Sequence, residues 1–139
     1  MELTNPHNLS GSTALKHVLK TDIVTIYFYE GIVVVEAEEG VTLSYKTGFS
    51  ILVSGLKYLG NRPFVYITNR VNSYSVNPND YIYLEKIPTL KGLGIVTPNE
   101  IGMQNAELEL NFFKKPMEIF SSLSEAYQWG MEVLHSHNS

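Results

Sequence analysis

Hydrophobic and polar positions alternate with period two near the start of the chain, which predicts a β-strand over DIVTIYFYE (22–30). The apolar face of this strand is formed by Val24, Ile26 and Phe28. IVVVEA (32–37) follows as a β-branched run, the pattern of an interior strand that is apolar on both faces. Glu30 and Gly31 lie between the runs, and glycine takes the positive φ that a tight turn needs. The two strands are therefore predicted to form a hairpin.

Helical spacing replaces this alternation over residues 42–60, where an apolar stripe is formed by Tyr45, Phe49, Leu52, Leu56 and Leu59. Thr42 is the expected N-cap, and Gly60 the expected stop just past the end. Gly48 and Gly55 lie seven residues apart inside the helix, where each costs about 1 kcal/mol relative to alanine. We expect them to allow close approach of the helix to its sheet, with contact to a ligand as the alternative.

Strands and helices then alternate to the end of the chain. The predicted elements are a strand over 63–68, a helix over 78–86, a strand over 92–97, a helix over 98–114, a strand over 117–120 and a helix over 123–134. The resulting order is β-β-α-β-α-β-α-β-α. It predicts an α/β fold with a mixed sheet, mostly parallel, that carries an antiparallel edge hairpin.

The chain of 139 residues is long enough for one domain, which we place at 22–135. Residues 1–21 are expected to be an N-terminal extension, and residues 136–139 a disordered tail. A short helix over 13–20 is predicted within the extension, on a face formed by Ala14, Leu15, Val18 and Leu19.

Composition excludes several classes of function. The chain has no cysteine, which excludes disulfides, thiolate metal sites and cysteine nucleophiles. Its net charge is −4 and its ten basic residues are scattered, so binding to nucleic acid is disfavoured. No apolar run of about 18 residues is present to span a membrane, and the N-terminus lacks the pattern of a secretion signal. A cytoplasmic protein without membrane insertion is expected.

Three segments carry a family resemblance: FVYITNRVNSYSVNPNDY (64–81), IPTLKGLGIVT (87–97) and NAELELNFFKKPMEIFSSLSEA (105–126). Together with the element order, they resemble the STAS-like fold of bacterial anti-sigma-factor antagonists, the SpoIIAA-like group and an uncharacterised bacterial family of this type. The resemblance covers about residues 22–134. It implies a STAS-like fold and, as in the antagonists, binding to partner proteins.

In the antagonists a serine at the start of the helix after the third strand is phosphorylated. The resemblance makes Ser73 and Ser75 candidate phosphorylation sites, although the Asp-Ser-Ser-Gly signature of the antagonists is absent. The loop 69–77 follows a predicted parallel strand, at the edge of the sheet where α/β folds tend to bind ligands. Its candidate partner-binding residues are Asn69, Arg70, Asn72, Ser73, Tyr74 and Ser75. The alternative is a simple turn closed by Asn and Ser side chains.

A second candidate surface is aromatic. Tyr27 and Tyr29 are predicted to point away from the face of Val24, and Tyr66 could align with them from a neighbouring strand. Tyrosine is enriched at protein interfaces, so a homodimer or partner surface is one interpretation. Cover by the helix over 13–20 is the other.

No catalytic or metal site is predicted. The four histidines lie near the termini, where we expect solvated side chains: His7, His17, His135 and His137. Two groups of carboxylates are also expected to be solvated surface: Glu36, Glu38 and Glu39, and Glu107 and Glu109. An enzyme would need an interior constellation that the spacing does not reveal.

The sequence therefore predicts a non-enzymatic STAS-like module without cofactor or metal. It would act on an unknown protein partner through the loop 69–77 and the helix 78–86. The alternative is a protein that binds a small apolar, lipid-like ligand in a pocket between sheet and helices.

Overall fold

The fold is described from a computed structural model, which covers residues 7, 9, 14–71 and 75–137, with the backbone alone at 45, 75, 76 and 137. The elements are β1 (His17–Lys20), β2 (Val24–Phe28), β3 (Ile32–Ala37), β4 (Thr42–Leu43), α1 (Tyr45–Leu59), β5 (Phe64–Asn69), β6 (Ser75–Val76), a 3-10 turn (Pro78–Asp80), α2 (Tyr81–Glu85), β7 (Leu90–Val96), α3 (Glu100–Glu109), a second 3-10 turn (Leu110–Phe112), β8 (Met117–Phe120) and α4 (Leu123–His137).

The main sheet has six strands in the order β1-β2-β3-β5-β7-β8. β1, β2 and β3 are antiparallel neighbours, while β3, β5, β7 and β8 pair in parallel. The predicted hairpin of β2 and β3 turns at Gly31, whose φ is 72°. β4 and β6 form a separate parallel pair. The predicted α/β fold, with a mostly parallel sheet and an antiparallel edge, is confirmed.

The predicted helix over 13–20 is wrong, because residues 17–20 form the edge strand β1. Val18 lies opposite Tyr27 and Leu19 opposite Ile26 in an antiparallel ladder with β2. A segment this short gains more from pairing with an open sheet edge than from a helical face of two turns. At the other terminus α4 continues to His137, three residues past its predicted end.

The start of α1 also differs from the prediction. Ser44 is the N-cap and forms a capping box with Thr47, whereas Thr42 lies in β4. The Ser44 hydroxyl accepts the Thr47 N–H at 3.4 Å, and the Thr47 hydroxyl accepts the Ser44 N–H at 3.0 Å. Gly60 caps the other end as predicted.

The two faces of the sheet are covered differently. α4 packs closely on one face, where an added Cβ at Gly130 would lie 2.7 Å from Ile32 Cδ1. α1, α2 and α3 cover the other face. An added Cβ at Gly48 of α1 would have no neighbour within 4 Å, and one at Gly55 would meet only Phe28 Cζ, at 3.9 Å. The expected close approach of α1 at these two glycines is therefore wrong.

Candidate functional site

A cavity of about 170 Å³ lies between α1, α2 and the sheet. Its floor is made of apolar side chains from β2, β3 and β5, such as Phe28, Val33 and Phe64. Its roof is the inward side of α1, including Leu52 and Leu56. A largely apolar chamber therefore occupies the place where the other face of the sheet has close packing.

The cavity exists because the inward side of α1 lacks side chains at two points. Gly48 and Gly55 both line it, two helical turns apart. Any larger residue at either position would extend from the helix toward the sheet. Helix α1 therefore has two weak helix formers in its interior, and both lie where they leave space.

The cavity opens to solvent between α1 and the segment that starts α2. Phe49, with 48% of its surface exposed, lines the cavity on the α1 side. Asn77 and Tyr83 line the opposite side and are also exposed. These three residues mark the mouth, and a ligand could enter there without unfolding the domain.

Polarity rises along the floor. Phe64, Tyr66 and Thr68 follow one another on the cavity face of β5, and Arg70 comes directly after the strand. At a rise of about 3.3 Å per residue, this series spans roughly 20 Å from the apolar to the polar end. The polar end lies at the carboxyl end of the parallel strands, where α/β sheets tend to bind ligands.

A buried network closes the polar end. Arg70 donates two hydrogen bonds to Glu109 of α3, Nη1 to Oε2 at 2.7 Å and Nη2 to Oε1 at 2.6 Å. The two side chains are 13% and 11% exposed. The hydroxyl of Tyr81 also donates to Glu109 Oε1. Burial, and then the adjacent charge of Glu109, raise the pKa of Tyr81 far above its ordinary value, so the phenol stays protonated.

A second polar cluster lies on the opposite face of the sheet, because Asn69 precedes Arg70 and points the other way. Asn69 Nδ2 donates to Glu36 Oε2 at 2.8 Å. His7 places Nε2 at 2.6 Å from the same oxygen and Nδ1 at 2.6 Å from the Tyr29 hydroxyl. Burial acts to raise the pKa of Glu36, but the hydrogen bonds from His7 and Asn69 outweigh it and hold the pKa below its ordinary value.

No protein-family model matches the sequence, and a search of the curated proteins found no match. A solved structure is similar: an uncharacterised protein of the DUF3478 family from Shewanella loihica PV-4, described as having a SpoIIAA-like fold. The likeness covers 88% of this chain and 98% of that one, with a TM-score of 0.50 and 12% identity. The chain therefore has a SpoIIAA-like fold. At this identity the likeness shows the fold alone.

Within the SpoIIAA-like fold, the loop residues predicted to bind a partner divide into two groups. Asn69 and Arg70 face inward, each held by a carboxylate, in the two networks described above. Asn72, Ser73 and Tyr74 lie outside the described residues, as does the side chain of Ser75, whose backbone belongs to β6. Phosphorylation of Ser73 or Ser75 stays a prediction.

The predicted alignment of three tyrosines is wrong. Val33 of β3 lies opposite Phe28 on one side and Tyr66 on the other, so Tyr66 shares the face of Phe28 and lines the cavity. Tyr27 and Tyr29 lie on the opposite face, which α4 covers. Tyr29 is buried there, with its ring centroid 6.0 Å from that of Tyr127. The helix predicted over 13–20 is not the cover.

Of the carboxylates expected at the surface, Glu109 is buried and Glu36 is half-buried, whereas Glu38, Glu39 and Glu107 are exposed as expected. Both of the shielded carboxylates had a signal in the sequence. Glu36 interrupts a strand that is otherwise apolar on both faces, and Glu109 follows the buried Ala106 by three residues on α3. A charge at such a position predicts a partner inside the fold.

The histidines were also predicted incorrectly in part. His7 is 8% exposed beside Glu36, and His17 stacks on Tyr58 with a centroid distance of 4.4 Å. His135 is exposed as expected, while the side chain of His137 is not described. Across residues 14–71 and 75–137, with His7, no group of three or more His, Asp or Glu side chains is placed to hold a metal ion. Over the same residues, no helix has the length and apolarity needed to cross a membrane.

Proposed function

We propose that the protein binds a small, predominantly apolar molecule in the cavity between α1 and the sheet. The observation that carries this proposal is the cavity of about 170 Å³ beneath two interior glycines of a helix. An engineered cavity of about 150 Å³ with an apolar lining stays dry and binds benzene. The volume therefore suits an aromatic ring or an aliphatic group of similar size.

The energetics of packing support an occupant. Protein interiors are close-packed, so apolar side chains that line an unfilled space lack contacts that a filled core would give them. A ligand that fills the space restores these contacts. A longer ligand would extend through the mouth past Phe49.

The polar groups at the cavity favour binding over catalysis. Glu109 accepts three hydrogen bonds, two from Arg70 and one from Tyr81, which makes it a poor general base. Tyr81 has a raised pKa and would not ionise near neutral pH. We therefore retain the prediction of a non-enzymatic protein, although the expectation that Glu109 is solvated surface is wrong.

Native mass spectrometry of freshly purified protein tests the proposal. We expect a retained small molecule, or, for protein stripped of it, saturable binding of indole. Gly55→Leu should abolish binding by filling the cavity, because Gly55 lines it and an added Cβ would meet only Phe28 Cζ, at 3.9 Å. Ser54→Leu adds the same side chain at an exposed position of the same helix and should bind as the native protein does. Equal binding by both variants would place the ligand elsewhere, and no binding by the native protein would overturn the proposal.

A second candidate function is docking of a partner protein on α2 and the adjoining loop. The observation that favours it is a set of exposed apolar side chains in this predicted contact region: Val71 at 59%, Ile82 at 49% and Tyr83 at 39%. Arg70 is unsuitable for testing this surface, because its loss would leave Glu109 buried without its cation. Ile82→Glu should abolish capture of a partner, while Ile101→Glu, at an exposed position of α3, should not. Unchanged capture with Ile82→Glu would exclude α2.

A further inference from the structure

We propose that the cavity selects neutral ligands over carboxylates, because the charge of Arg70 at its polar end is already balanced by Glu109. This inference rests on the proposed function and specifies the chemical class of its ligand. An arginine beside an apolar cavity would ordinarily indicate an anionic head group, such as that of a fatty acid. The contacts of Arg70 with Glu109 instead indicate a ligand without a negative charge.

Arg70 and Glu109 form a closed pair. Both terminal nitrogens of the guanidinium meet both carboxylate oxygens, at 2.7 and 2.6 Å, in the bidentate geometry that is strongest for this pair. Both side chains are largely removed from solvent. The net charge of the Arg70–Glu109 pair at the polar end of the cavity is therefore zero.

An incoming carboxylate would meet a guanidinium whose charge Glu109 already balances, at 2.7 and 2.6 Å. It would add a second negative charge beside Glu109 in a largely apolar cavity, and an uncompensated buried charge is strongly unfavourable. The network thus excludes anions although it contains an arginine.

Neutral polar groups also line the polar end of the cavity. The neutral polar side chains at this end include Ser44, Thr68 and Asn77, together with the hydroxyl of Tyr81. They suit a ligand with a single hydroxyl, carbonyl or amide group, whose apolar body points toward Phe64.

Matched alcohol and carboxylate ligands test the selection. Titration calorimetry at neutral pH would compare benzyl alcohol with benzoate, and 1-hexanol with hexanoate, on the intact protein. We expect each carboxylate to bind more weakly than its alcohol by roughly tenfold or more. Equal or tighter binding of the carboxylates would overturn this inference and leave the proposed function standing. Binding of neither class would overturn the proposed function itself.

The Glu109→Gln variant tests the cause of the selection. It removes the compensating charge but keeps an amide oxygen for Arg70 and Tyr81, so binding of benzoate should strengthen relative to benzyl alcohol. Glu107→Gln removes the same charge from an exposed position of the same helix and should leave the ratio unchanged. An unchanged ratio in folded Glu109→Gln protein would show that the pair is not the selector. If this variant fails to fold, the ratio measured on the native protein decides.

Discussion

Glu109 holds together groups from three parts of the chain: Arg70 after β5, Tyr81 at the start of α2, and its own helix α3. Glu109→Ala would leave Arg70 buried without its counter-charge and should lower the free energy of unfolding by about 3 to 5 kcal/mol. Denaturant unfolding measures the change. Glu107→Ala, at an exposed position, should change stability by less than about 0.5 kcal/mol. A loss below about 1 kcal/mol for Glu109→Ala would mean that the pair contributes little.

The contribution of Glu36 to stability is predicted to depend on pH. Its pKa is lower in the folded chain than its ordinary value, because His7 and Asn69 bond to the carboxylate and together outweigh the effect of burial. A lowered pKa in the folded state stabilises the fold above the ordinary pKa of a glutamate, and this contribution is lost as the pH falls through the folded value. At neutral pH, Glu36→Gln should therefore cost about 1 to 3 kcal/mol.

Measuring the free energy of unfolding from pH 7 down to acidic pH tests whether this stabilisation is lost as the pH falls. The difference between the native protein and Glu36→Gln should shrink as the pH falls below about 4.3. Glu38→Gln, at an exposed position close by, should follow the native protein at every pH. A difference that stays constant with pH would show that the carboxylate charge of Glu36 does not stabilise the fold.

At the scale of elements, the glycines of α1 and α4 have opposite roles. Gly48→Ala and Gly55→Ala should each stabilise the protein by up to about 1 kcal/mol, because each added methyl group meets no close neighbour in a helix. Gly130→Ala should destabilise it by about 1 to 3 kcal/mol, because its Cβ would lie 2.7 Å from Ile32 and 3.3 Å from Val65, both fully buried. Thermal unfolding distinguishes the expected stabilisation from the expected destabilisation. Destabilisation by Gly48→Ala would contradict an open space beneath α1.

From β2 onward, apart from the short strands β4 and β6, the element order was predictable from sequence, whereas β1 and the placement of single side chains were not. Alternation in β2 and the β-branched run of β3 predicted the hairpin, because these patterns depend on residues close in the chain. The face of Tyr66 was missed because it depends on the register of β5 against β3, where Tyr66 lies opposite Val33.

The cavity and the Arg70–Glu109–Tyr81 network could not be predicted from the sequence for a related reason. Gly48 and Gly55 indicate either close approach or empty space, and only the distance between α1 and the sheet decides. Arg70 and Glu109 lie 39 residues apart, so no local pattern links them. The sequence shows that Glu109 is close to a buried stripe, but its partner comes from tertiary packing.

For the whole molecule, the two faces of the sheet should differ in local stability. On one face α4 is packed closely, with Trp129 of that helix over Gly92 and Gly94 of β7. On the other face α1 lies over a cavity and has fewer apolar contacts to hold it. Segments with few buried contacts open at a lower free energy than the global unfolding transition. The ligand would therefore enter on the face of the domain that opens more easily.

Hydrogen exchange tests this difference. Amide protons of α1 (Tyr45–Leu59) should exchange faster than those of α4 (Leu123–His137), although both helices have 15 residues. Gly55→Leu should slow exchange in α1, because the leucine supplies the contacts that the cavity lacks, and Ser54→Leu should leave it unchanged. A ligand that occupies the cavity should also slow amide exchange in α1 and leave exchange in α4 unchanged. Equal protection of the two helices in the empty protein would mean that the cavity does not weaken its roof, and that the occupant gains no stability from filling it.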